Sequence, residues 1–135
     1  MTADLIAFLR GRLEEDEARA RALPPGPWVW REGEAGTDSP GDALVGADGQ
    51  PVLSASDPDE YSAWIIRADG FDAYLQQMQP ARVLAEVEAK RRTLIRCEEE
   101  LMAGAPRLTH FIQQTIWEMS LPYADHPDYR EEWRP

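Results

Sequence analysis

Apolar positions recur most regularly between Pro80 and Gly104, where Val83, Leu84, Val87, Leu94 and Leu101 return at helical spacing among charged residues. The pattern predicts one long helix with an apolar face. Pro80 suits its first position, where a missing N–H costs nothing, and Gly104 suits the left-handed residue just past its end. Glu86 with Lys90, Glu88 with Arg92 and Arg96 with Glu100 are four apart, so each can form a surface ion pair worth about 0.2–0.5 kcal/mol.

An earlier stripe, Leu5, Ile6, Leu9 and Leu13, predicts an N-terminal helix within residues 1–23, with Thr2 placed to cap it. Its second half, EEDEARAR, reads as a solvated face in which Glu15 can meet Arg19 and Glu17 can meet Arg21. Pro24, Pro25 and Pro27 stop the helix, since proline lacks the donor and clashes with the preceding turn. Alternation then predicts a strand at 28–31 with Trp28 and Trp30 on one face and Val29 on the other. Residues 43–47 and 51–54 flank Asp48-Gly49, a dipeptide suited to a tight hairpin with both central residues at positive φ, and Pro51 belongs at a strand start or sheet edge.

Residues 61–68, with Ile65 and Ile66, lean towards a fourth strand. A short helix over 71–78 precedes the long one, and Leu108, Phe111, Ile112, Thr115, Ile116 and Met119 predict a last helix from about 107, followed by an aromatic and charged tail that docks on the core. The fold class expected is α+β: an antiparallel sheet of three or four strands within 28–68, packed against the long helix, with helices at both ends.

With 135 residues, 43% of them hydrophobic, the chain suits one domain over 1–135. The net charge of −11, without a basic tail or patch, opposes direct nucleic-acid binding, because phosphate backbones are held by Lys and Arg. The lone Cys97 excludes an internal disulfide and a Cys-rich zinc site, and fits a reducing compartment. No apolar run has the length of a signal peptide or a membrane span, so a cytoplasmic protein without membrane contact is expected.

Chemistry is thin along the chain. Tyr123, Asp125, His126, Asp128 and Tyr129 place a histidine among carboxylates, the materials of a general base or ligand site. The same residues equally form turns around Pro127, with Tyr129 and Trp133 packing back on the core. Trp28, Trp30 and Trp64 could form a ligand platform, but large rings are also how a small sheet fills its core. Cys97 falls among charges, on the charged side of the helix or at its border, as an inert thiol, and His110 is spaced from His126 as in no helical two-histidine metal motif. No phosphate-cradling glycine loop or nucleophile elbow occurs. No catalytic residue, metal or cofactor is expected.

The blocks DLIAFLRGRLEEDEARA, PGPW at 25–28, PARVLAEVEAKRR at 80–92 and LPYADHPDYREEWRP at 121–135 resemble, as an ordered set covering about half of the chain, an actinobacterial family of small uncharacterised proteins, a domain of unknown function. They are also similar to small phage-encoded proteins. The chain departs from that pattern in an expanded stretch at about 55–79 and in lacking a cysteine-containing segment between the long helix and the tail, which argues against a metal role general to the resemblance. The resemblance implies no activity, only a phage or mobile-element setting.

The expectation is a non-catalytic interaction domain whose partner is a protein or a second copy. The long helix carries more apolar length than a small sheet covers, so Leu94 and Leu101 join Trp28, Trp30, Tyr123, Asp125 and His126 as candidate surface. Two alternatives are an enzyme or ligand-binding protein using Asp125 and His126, and an acidic inhibitor that imitates nucleic acid.

Overall fold

A computed structural model describes residues 2–31, 43–54, 71–104 and 106–135. Its elements are α1 (Thr2–Arg21), β1 (Val29–Arg31), β2 (Ala43–Val45), β3 (Pro51–Ser54), α2 (Phe71–Gln77), α3 (Pro80–Ala103) and α4 (Pro106–Ser120), then short 3-10 turns at Leu121–Tyr123 and Glu131–Trp133. The fold is α+β, with a three-stranded antiparallel sheet in the order β1-β2-β3. Thr2, expected as a cap, is the first helical residue. Residues 61–68, the expected fourth strand, and Trp64 lie outside the described residues. Two compact units are formed: one takes in the chain up to Glu17 and from Ala85 onward, the other runs Ala18–Leu84.

In the first unit, one cluster joins Leu5, Ile6, Phe8 and Leu9 of α1, Leu94 and Cys97 of α3, Ile112 and Ile116 of α4, and Trp133 of the tail. Each fully buried Leu or Ile contributes about 1.5–3 kcal/mol of transfer free energy. The α3 face is a seven-residue repeat: Val87 and Leu94 are buried and Leu101 packs against the cluster. Cys97 is three positions beyond Leu94 and therefore on the same face. Its expected place among the charges is corrected: it is 7% exposed, and burial, followed by the Glu98 charge, pushes its thiol pKa up.

The predicted end of α3 is observed. Gly104 adopts φ 68° and its N–H donates to the Leu101 carbonyl at 3.3 Å, which closes the last turn. Of the four-apart pairs, Arg92 Nε donates to Glu88 at 2.7 Å. Glu17 takes a bond from Arg91 at 2.8 Å and Glu15 one from Arg12 at 2.9 Å.

In the second unit, Trp30 faces Leu44 and Leu44 faces Leu53, so these three side chains form one cross-strand row. Val29, on the other face, is exposed. Pro51 opens β3, an edge strand, where its missing donor is tolerated. The hairpin turn differs from the expected two-residue form: Gly49 N–H donates to the Gly46 carbonyl at 3.0 Å and Gly46 N–H to the Gln50 carbonyl at 2.9 Å. Asp48 thus occupies the third position of a turn, Gly49 follows at φ 81°, and the Asp48 carboxylate accepts the Gln50 N–H at 3.1 Å. One left-handed glycine suffices where two such residues were expected.

Candidate functional site

Every fourth residue of the first α1 turns faces the C-terminal tail. Tyr123 donates its hydroxyl to Asp16 Oδ2 at 2.6 Å, and Arg130 Nη1 donates to Asp4 Oδ2 at 3.1 Å. Between these ends stands Phe8, whose ring meets Tyr123, His126, Tyr129 and Trp133 at centroid distances of 6.4, 5.6, 6.0 and 5.1 Å. The tail therefore runs along the row Asp16, Arg12, Phe8, Asp4 towards the helix N-terminus. Helical geometry places residues four apart on one face, and the tail reads that face. Phe8, Arg12 and Asp16 escaped the sequence reading because the row mixes one ring with charges; its spacing of four was the available signal.

This arrangement uses up the tail's chemistry. His126 Nδ1 accepts the Asp128 N–H at 3.1 Å, a bond that requires an unprotonated Nδ1, while the ring meets Phe8 edge-on at 71°. The neighbouring carbonyl of His126 accepts Tyr129 N–H at 2.9 Å. Asp125 is exposed and forms no hydrogen bond with His126 among the described residues. Burial, and then the bond to Asp16, pushes the Tyr123 phenol pKa well above its usual value, so it stays a donor. Lys90, three positions beyond Val87 on the inner face of α3, holds its Nζ 5.7 Å from the Tyr123 ring centre.

Beside the tail lies a groove of about 360 Å³ lined by Asp4, Phe8, Arg12, Asp128, Arg130 and Trp133. Arg12 places its guanidinium 5.2 Å above the Phe8 ring and gives one Nη to Glu15. Its Nε and other Nη, the Trp133 indole N–H and the Tyr129 hydroxyl are buried without a hydrogen-bond partner among the described residues. Arg130, stacked 5.2 Å over Trp133, forms the outer edge.

The remaining candidates separate. Trp28 is 7% exposed; its indole N–H donates to the Pro24 carbonyl at 2.8 Å and its backbone N–H to Gln79 Oε1 at 3.1 Å. A Cβ on Gly26 would stand 2.6 Å from that same Gln79 oxygen and 3.2 Å from the Ala81 Cβ, so a larger residue there displaces the Gln79 amide and costs the Trp28 N–H its acceptor. Trp30 is half-buried in the sheet row, and no open platform includes Trp28. Leu94 and Leu101, expected as surface, are corrected: Leu94 is 1% exposed within the core and Leu101 packs on its edge, because α1, α4 and the tail cover the α3 face. The exposed apolar side chains sit elsewhere. One step round α3 from Leu94 and Leu101, Ile95 and Met102 are 47% and 88% exposed, and on α4 Leu108 and Phe111 are 43% and 67% exposed. His110 is exposed, and no cluster of three His, Cys, Asp or Glu able to hold a metal occurs among the described residues. No helix among the described residues is long and apolar enough to cross a membrane.

These features define an α+β chain whose C-terminal tail is fastened to its first helix. The chain belongs to DUF6221, a family of unknown function whose model matches residues 2–135. The match extends over the stretches between the recognised blocks. No curated protein and no solved structure matches the chain.

Proposed function

We propose that the chain is a non-catalytic protein-interaction domain that associates with a second copy of itself around the α3–α4 connection. The observation that carries this reading is the exposure of Met102 at 88% and Phe111 at 67%, with Ile95 and Leu108 nearly half exposed, on either side of Gly104. A chain of mean hydropathy −0.53 gains from covering such side chains, at about 25 cal/mol for each Å² removed from water. Arg96, Glu99, Glu100 and Arg107 flank them, exposed and without ion-pair partners among the described residues. Both signs beside exposed apolar side chains suit a two-fold contact, in which each copy meets the other's opposite charges.

Sedimentation velocity over a concentration series tests the reading. Each copy carries −11, so salt screens repulsion and dimerisation strengthens from about 0.05 M to about 0.5 M salt. Capture of a basic partner by an acidic mimic has the opposite salt dependence. Phe111→Glu with Met102→Glu gives a monomer of unchanged helicity; a parent chain that is monomeric at high micromolar concentration in both salts overturns the proposal. The setting proposed is cytoplasmic, supported by the single Cys97, and actinobacterial or phage-related, supported by the matched blocks. Gene neighbourhoods free of phage or mobile elements would remove the latter part.

A further inference from the structure

We infer that Met102 is an oxidation site through which a hydroperoxide dissociates the self-associated chain, a step that rests on the self-association proposed above. What points to it is where the chain keeps its sulfur. Among the described residues Met102, at the end of α3 just before Gly104, is 88% exposed and Met78 48%, while Met119 packs against the core and Cys97 is 7% exposed.

Exposure and chemistry select the same atom. A thioether is oxidised as it stands, so access to the sulfur governs its reaction. A thiol reacts as its thiolate, and Cys97, the chain's single cysteine, is covered and kept in the protonated form by burial and by the Glu98 charge. The Met102 sulfur lone pair takes the outer oxygen of the hydroperoxide and the O–O bond breaks. The proton of that oxygen passes to the departing one, which leaves as water or an alcohol; sulfur loses two electrons and the peroxide gains them.

The product carries a polar, chiral S=O group where a flexible apolar side chain stood. A second copy closing over it strips the water from that oxygen, whereas the free chain keeps it hydrated, so oxidation favours the monomer. The coupling runs both ways. Association covers Met102, so its oxidation slows as the protein concentration rises through the dissociation constant.

The test is sedimentation velocity of the full chain before and after treatment with hydrogen peroxide, with peptide mass spectrometry locating each added oxygen. The expected result is a sulfoxide at Met102 before Met78, Met119 or Cys97 changes, with the dissociation constant raised about tenfold or more and the circular dichroism unchanged. Methionine sulfoxide reductases with a thiol reductant restore association. Met102→Leu, compared with itself before treatment, shows no rise, and Met78→Leu responds as the parent does. Should Met102→Leu fail to associate, the parent's response and its reversal by the reductases decide. An associating parent whose dissociation constant is unmoved when Met102 is fully oxidised, or in which Met78 or Cys97 is oxidised first, overturns this inference and leaves the self-association standing. An untreated parent that is monomeric at high micromolar concentration overturns both.

Discussion

Replacing Leu94 with alanine removes a side chain that is 1% exposed and belongs to a cluster supplied by α1, α3, α4 and the tail. Four elements fixed by different contacts cannot all close on the vacancy, so both the transfer and the cavity costs apply. The loss expected is about 3–4 kcal/mol, within the range for buried Leu→Ala changes. For a chain of 135 residues that is a fall of about 10–15 °C in Tm. Ile95→Ala is the matched control: the neighbouring residue on the same helix is 47% exposed, and its truncation costs about 1 kcal/mol or less. Urea unfolding followed by far-ultraviolet circular dichroism measures both. Equal losses, or a larger loss at Ile95, would refute the assignment of the inner face of α3.

Tyr123→Phe removes a bond to a charged acceptor and costs about 1.5–3 kcal/mol near neutral pH. Because the folded state raises the phenol pKa above its ordinary value, the folded state binds the proton more tightly; this stabilisation is complete below about pH 10 and is lost as pH rises above it. Denaturant titrations across that range should show a shallower alkaline decline in the variant; an unchanged slope contradicts the burial argument. Gly104→Ala meets open space, so its cost is the left-handed backbone alone, about 1–2 kcal/mol, and Gly104→Asn costs less. Thermal melts in which alanine is neutral refute that account. Cys97, buried and with a raised pKa, should react with a thiol reagent no faster than the chain unfolds; rapid labelling of the folded protein would show that the α3–α4 seam opens.

Helix α3 was legible because three independent signals coincided: Pro80 at its start, Gly104 at its end, and apolar residues at one spacing between them. Cys97 is hidden in the sequence by its charged neighbours, Arg96 and Glu98, although its distance of three from Leu94 puts it on the apolar face. The hairpin was legible from Asp48-Gly49, but not its hydrogen-bond register, since Gly46 and Gln50 rather than the dipeptide close it. The covering of Leu94 is not legible locally, because part of it comes from the tail: Trp133 joins the same cluster from far along the chain. Docking of the tail was legible in its aromatics, while its address was not.

That address has a physical logic that apolar periodicity does not register. The α1 row facing the tail carries Asp4, Phe8, Arg12 and Asp16, and cations along this seam lie over aromatic rings: Arg12 on Phe8 at 5.2 Å, Lys90 on Tyr123 at 5.7 Å and Arg130 on Trp133 at 5.2 Å. Each places an apolar ring and a charge in the same contact, so a row that looks half-solvated is in fact a binding face. The tail is consequently held by direction as well as by area: Asp16 fixes Tyr123 at one end, Asp4 fixes Arg130 at the other, and Phe8 sets the depth between them. A seam set by such fixed points cannot shift to satisfy every polar atom it encloses, and Arg12, Tyr129 and Trp133 keep buried polar atoms without a protein partner among the described residues.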